Sequence, residues 1–176
     1  DKFGKIITQE MNKPITQSIS EVQKCALMTR YYAEAENILK PEKIKTEFRV
    51  SEIHSVPKGV ILGVMPWNFP FWQALRFAVP AILAGNTIVL KHASICFGSG
   101  NMIEKLFLKA GFPKEVFQNL EIGHEDVKKV LENPIIKGVS LTGSEKAGAE
   151  VASIAGKNIK KSLLELGGSD AFIVLD

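Results

Sequence analysis

The sequence predicts an α/β fold, a doubly wound parallel sheet preceded by N-terminal helices. Three observations carry that expectation. From Pro57 onward, short apolar runs alternate with segments of helical period, the pattern of right-handed βαβ crossovers. Residues 59–65 are apolar throughout, as a strand buried on both faces of a parallel sheet should be. Ahead of them, apolar residues in the first forty positions recur at three- and four-residue spacing, which marks helices.

Taken in order, Ile6, Ile7 and Met11 lie on a helix that meets a turn at Asn12-Lys13-Pro14. A second helical stripe runs from Ile19 through Val22, Ala26, Met28 and Tyr32 to Leu39, stopped by Pro41. Residues 45–56 alternate as an extended ribbon. The first sheet strand spans 59–65, followed by an apolar helix over 71–83 that Gly85-Asn86 closes. A second strand covers 87–90, and the next helix runs from about 100 to 110, ending at Gly111-Phe112-Pro113. The remaining expected elements are strand 116–122, helix 125–131, strand 135–141, helix 145–155 and strand 162–166. The organisation expected is therefore a helical segment over 1–44, a ribbon over 45–57 and a doubly wound α/β domain over 58–176.

Composition narrows the classes. The 176 residues are 45% apolar, enough for a core, and 22 basic against 19 acidic side chains leave a net charge of +3. No run of five like charges occurs, so neither a nucleic-acid nor a membrane partner is expected. The two cysteines, Cys25 and Cys96, stand far apart, which fits a reducing compartment. His54, His92 and His124 share no ligand spacing with them or with carboxylates, so no metal site is expected. Apolar stretches are broken well short of the ~20 residues that a membrane-spanning helix requires. A soluble, cytoplasmic protein is the expectation. The chain begins at Asp1 and stops in the apolar run 171–176, so it is read as part of a longer polypeptide.

In open α/β sheets ligands gather at the carboxyl ends of the strands. The notable polar residues fall there: Asn68 after the first strand, Lys91 and Ser94 after the second, Thr142-Gly143-Ser144 after the fourth and Glu165 at the fifth. The Gly-x-Gly-x-x-Gly fingerprint of ordinary dinucleotide folds is missing, with Val64-Met65-Pro66-Trp67 in its place. Each residue also has a plain structural role. Lys91 reads equally as a solvated charge. Asn68 reads as a cap for the helix that follows, Glu165 as a partner for Lys161, and Trp67 as core. Ser144 reads as an N-cap, although the same helix start suits a pyrophosphate, whose charge the free amides and dipole favour. Cys25 reads as a small buried thiol. Cys96, following Ser94-Ile95, is expected far from Asn68 in strand order, and neither thiol is expected to be a nucleophile.

Met65-Pro66-Trp67-Asn68-Phe69-Pro70, Thr142-Gly143-Ser144 and Leu164-Glu165-Leu166-Gly167-Gly168 together resemble the aldehyde dehydrogenase superfamily. Phe71-Trp72-Gln73 and Leu90-Lys91-His92-Ala93 bring the chain nearest its succinate-semialdehyde dehydrogenase-like group. The resemblance extends from Met11-Asn12-Lys13-Pro14 to Asp176. It implies oxidation of an aldehyde with NAD or NADP through a thioester on a cysteine that lies beyond residue 176. It implies Asn68 as donor to the oxyanion and Glu165 as the base that activates water. It also implies Met65, Pro66, Trp67, Lys91, Ser94, Gly143, Ser144 and Leu166 as dinucleotide contacts, and the ribbon as a subunit contact in a homo-oligomer. Many NAD-preferring members carry a glutamate three residues after the lysine, and Ser94 stands there instead, so NADP is expected to be accepted at least as well as NAD. Two rivals remain: a CoA-acylating member of the superfamily, which has little use for Glu165, and a non-catalytic nucleotide-binding module.

Overall fold

The computed structural model of the chain describes residues 2–35 and 39–175. Two helices open it, α1 (Lys2–Met11) and α2 (Ile15–Glu34). Asn12 between them takes a left-handed φ of 56°, a conformation that asparagine tolerates, and Pro14 sets the backbone for the start of α2. This turn leaves Lys13 buried, at 8% exposure. Helix α2 stops at Glu34, short of Leu39, which lies in a turn. The expected continuation through Glu36, Asn37 and Ile38 lies outside the described residues.

The ribbon pairs β1 (Glu42–Lys43) with β2 (Glu52–Ile53) in antiparallel register, Glu42 opposite Ile53. It begins three residues ahead of the expected ribbon and leaves Phe48, Val50 and Val56 each more than two-thirds exposed. The sheet contains β3 (Val60–Met65), β4 (Thr87–His92), β5 (Phe117–Leu120), β6 (Ile136–Thr142) and β7 (Lys161–Glu165). Their order is β5-β4-β3-β6-β7 and every pairing is parallel. The connecting helices are α3 (Pro70–Leu83), α4 (Phe97–Lys109), α5 (Val127–Glu132) and α6 (Glu145–Lys157). All five expected strands are present. The main local differences are a shorter β5, a longer β4, and a 3-10 turn at Ser94–Cys96 that starts α4 three residues early.

Strand order reverses direction between β3 and β6, so successive crossovers leave helices on both faces. Alternation along β3 divides its side chains accordingly. Ile61 and Met65 pack with Phe71, Ala74, Ile88, Leu90 and Ile103 in the core beneath α1 to α4. Val60, Leu62 and Val64 pack with Val127, Leu131, Val139 and Val151 beneath α5 and α6. Gly63 belongs to the first face, where an added Cβ would stand 2.7 Å from Phe77 Cε1. The absence of a side chain at Gly63 lets α3 lie close against the strand.

Two carboxylates from the N-terminal helices complete the first face. Glu10 on α1 accepts from the backbone N–H groups of Gly98 and Ser99, and from Ser99 Oγ at 2.6 Å. Glu21 on α2 accepts from the N–H groups of Phe71 and Trp72 at 2.9 and 3.0 Å. These are the unpaired amides at the starts of α4 and α3, which need acceptors when buried. The residues preceding both helices, Phe69 and Cys96, supply no side-chain cap. The part of capping that sequence reading assigned to Asn68 thus belongs to Glu21, fifty residues upstream.

His92 fastens the other end of the same loop. Its Nε2 donates to the carbonyl of Pro70 at 2.9 Å, and its Nδ1 accepts from the N–H of Ala93. The ring is fully buried, and burial pushes its pKa down to about 4 from 6.5. The expected packing role for His92 is the one it has. The unfolded chain binds this proton more readily than the folded one, so stability is intact above pH 6.5 and is lost as pH falls toward 4. His92 is expected to contribute about 3 kcal/mol of acid sensitivity over that window. Denaturant melts at pH 7 and pH 5 check this: His92→Gln, though less stable at pH 7, is expected to lose less than the natural protein between the two.

Candidate functional site

Every site residue named from sequence lies at or just past the carboxyl end of β3, β4, β6 or β7, on either side of the β3/β6 reversal. Met65 ends β3 with its side chain buried, Pro66 follows, and Trp67 and Asn68 are exposed. Trp67 is 52% exposed, so it is not core. Among the described residues the Asn68 side chain has no hydrogen-bond partner, while its backbone carbonyl accepts from Lys13 Nζ at 2.7 Å.

Lys91 occupies the next strand end. It is 8% exposed, and burial lowers its pKa despite the opposing influence of Glu125. That overturns the solvated-charge reading. Leu90 belongs to the α3–α4 core and Val89 packs with the α5–α6 core, so strand alternation puts Lys91 on the α5–α6 side. No hydrogen bond or ion pair engages its Nζ among the described residues. Ser94, exposed, opens the 3-10 turn three residues later.

Across the reversal, Gly143 donates its N–H to the carbonyl of Glu165 at 3.0 Å, joining the ends of β6 and β7. Ser144 caps α6 by accepting from the N–H of Ala147 at 3.2 Å, as its structural reading expected. Leu166 leans on this helix at Gly148, where an added Cβ would lie 2.5 Å from Leu166 Cδ2. Glu165 faces the opposite way, toward α3. Its Oε2 lies 3.3 Å from Arg76 Nη2, both side chains being partly exposed. The partner expected from sequence was Lys161, but adjacent helices and strands set this pairing, and Arg76 had no sequence signal. An exposed pair of this kind contributes about 0–1 kcal/mol, which leaves the carboxylate free to move.

The candidate residues at the strand ends therefore divide between two sides of the sheet. Lys91, the amino end of α6 and Leu166 lie toward α5 and α6, and Glu165 toward α3. A lysine 8% exposed whose Nζ has no partner among the described residues, on the same side of the sheet as the start of α6, suits the chemistry of a dinucleotide with an added phosphate, and the residues fit such a group. Position 94, three residues after Lys91, carries a neutral hydroxyl and no carboxylate of its own.

The thiols take their own places. Cys25 is buried on α2, and Cys96 is fully buried with Sγ 3.9 Å from the carbonyl of Trp67. Cys96 is thus under the loop that carries Asn68 and not far from it, because the 3-10 turn after β4 folds back toward the end of β3. Burial pushes both thiols up to about 12, so they are protonated at neutral pH and poor nucleophiles. Sequence reading missed Lys13, Glu21, Glu10 and Arg76. Glu10 and Glu21 are signalled only as charged residues on the inward, apolar stripes of α1 and α2, and Lys13 only as a charge in the turn between them.

The aldehyde dehydrogenase family model matches residues 1–176. A probable NADP(+) succinate-semialdehyde dehydrogenase of Synechocystis sp. is 50% identical over 177 residues, covering 100% of this chain and 39% of that protein. A succinate-semialdehyde dehydrogenase (NADP(+)) of Deinococcus radiodurans is 44% identical, with 100% and 37% covered. Among solved structures, succinic semialdehyde dehydrogenase from Streptococcus pyogenes, in complex with NADP+, superposes with a TM-score of 0.95 at 44% identity, over 100% of this chain and 39% of that one. The chain spans under two-fifths of the length of these relatives.

Thiol chemistry tests the assignment of the cysteines. Native protein treated with iodoacetamide at pH 7.5 is expected to leave the Cys25 and Cys96 peptides unmodified by mass spectrometry, and unfolding in guanidinium to expose both. Rapid native labelling of either would contradict the raised pKa values.

Proposed function

We propose that this chain, which belongs to the aldehyde dehydrogenase family, is the dinucleotide-holding part of an NADP-dependent enzyme that oxidises an aldehyde to a carboxylate. Succinate semialdehyde is the substrate that the named relatives suggest. The observation that carries the reading is the gathering of Asn68, Lys91, Ser94, Ser144 and Glu165 at strand ends flanking the β3/β6 reversal. Lys91 takes the 2′-phosphate of the adenosine ribose, with Ser94 donating a hydrogen bond beside it. Gly143, Ser144 and the start of α6 take the pyrophosphate, and Met65, Pro66, Trp67 and Leu166 line the cleft. NADP+, when bound, accepts hydride from the substrate carbon.

The chemistry of this chain's own residues is electrostatic and acid–base. Asn68 donates its side-chain N–H to the oxygen that becomes an oxyanion when a thiolate adds to the aldehyde. Glu165 leaves Arg76 and takes a proton from the water that cleaves the resulting thioester. Gly167 and Gly168 follow it, and an added Cβ at either would meet nothing, so the backbone there has room for that movement. The thiolate comes from residues of the protein outside this chain. The β1–β2 ribbon, with Phe48, Val50 and Val56 exposed, serves as a contact between subunits of a homo-oligomer.

Full-length protein incubated with NADP+ and succinate semialdehyde is expected to form NADPH. No turnover with that or any other aldehyde would sink the reading. Glu165→Gln is expected to give a burst of NADPH and then a stalled steady state, and an unchanged steady-state rate would remove Glu165 from the mechanism. Ser94→Glu should shift preference toward NAD by about 1–3 kcal/mol in relative kcat/KM. Measured kinetics with both cofactors decide this: a natural enzyme that ignores NADP would show that Ser94 does not set the choice.

A further inference from the structure

Asn68 holds no side-chain bond of its own among the described residues, so its aim depends on how its backbone is held. On the amino side the strand does this: β3 is paired on both edges, and the Met65 carbonyl accepts from the N–H of Ala93 at 3.0 Å. On the carboxyl side the hold comes from the α1–α2 turn. Lys13 Nζ lies 2.7 Å from the Asn68 carbonyl, 2.6 Å from Glu21 Oε2 and 3.8 Å from the centroid of the Phe69 ring. The other oxygen of Glu21 receives the N–H groups of Phe71 and Trp72. Residues 68, 69, 71 and 72 are therefore fixed by one ion pair whose side chains are 7% and 1% exposed.

A buried ion pair is weak evidence for stability, since apolar replacements of similar volume are often as stable. What this pair does that an apolar pair would not is fix a carbonyl in space. An oxyanion donor must lie about 2.7–3.1 Å from the oxygen it stabilises, and displacement by about 1 Å costs on the order of 100-fold. From this geometry we infer that the Lys13–Glu21 pair is a positioning device for Asn68, setting the direction of its amide toward the reacting carbonyl. The inference rests on the proposed role of Asn68 as the oxyanion donor.

The test uses the full-length protein, with the single-turnover rate of NADPH formation at saturating NADP+ and aldehyde as the readout. Lys13→Met combined with Glu21→Gln removes the charges together and keeps an acceptor for the start of α3. This double variant is expected to bind NADP+ with an unchanged Kd and to lose about tenfold to a hundredfold in that rate. Made in an Asn68→Ala background, the same pair of changes should cost less than about twofold more, because the group being positioned is gone. A full additive loss in that background, or no loss in the natural background, overturns the positioning role. An Asn68→Ala enzyme with unchanged rate overturns the role of Asn68 and this inference together. Lys13→Arg serves if the double variant fails to fold. It keeps the charge pair but crowds the Asn68 carbonyl, and it is expected to slow the reaction only when Asn68 is present. An unaffected rate for Lys13→Arg also counts against the inference.

Discussion

Helices packed under a second layer start with amides that water cannot reach, and each of these needs an acceptor. In this chain the acceptors for α3 and α4 are Glu21 and Glu10, carried on helices that precede the sheet. The sheet's first face depends on that arrangement. Without α1 and α2 the starts of α3 and α4 have no cap of their own, and the apolar side chains of Phe71, Leu75 and Ile103 lose the layer that covers them. The carboxylates gain in turn from the partial positive charge at the helix starts. Lys13 closes the circuit by pairing with Glu21, so two ionised groups with under a tenth of their surface exposed are each satisfied.

The same contacts order the cleft. The loop from Pro66 to Pro70 is held from three sides, by β3, by the ring of His92 on the Pro70 carbonyl, and by Lys13 on the Asn68 carbonyl. The proposed donor therefore sits on a rigid support, whereas the side chain of Glu165, ahead of Leu166-Gly167-Gly168, is held among the described residues by a partly exposed ion pair with Arg76. That difference suits the two proposed tasks. A group that stabilises developing charge works best when it does not move, and a base that must reach water after hydride has left works best when it can.

The distribution of charge over the two faces also divides the labour of the site. Lys91 and the start of α6 lie toward α5 and α6, the side on which the proposed reading seats the phosphates of a dinucleotide. Glu165 lies toward α3, so its carboxylate is kept away from those phosphates. Strand alternation alone produces this separation, since neighbouring residues on a strand point to opposite faces.

Much of this protein was determined by local sequence. The apolar run at Val60–Met65, the Gly85 and Gly111 helix stops and the strand–helix alternation fixed the class and nearly every element to within a few residues, because periodicity and turn residues act over short range. The positions of the candidate residues were legible too: Asn68, Lys91, Ser144 and Glu165 fall at or just past strand ends, and strand ends are given by the same local pattern. Three things were decided only by the tertiary structure. Glu165 pairs with Arg76 and not with Lys161, Cys96 lies under Trp67, and α3 is capped by a glutamate fifty residues away. Each depends on which surfaces meet once the helices pack. Side-chain charge on a helix says that a partner is needed, but only the packing of α1 and α2 on the sheet says which backbone amides and carbonyls will supply it.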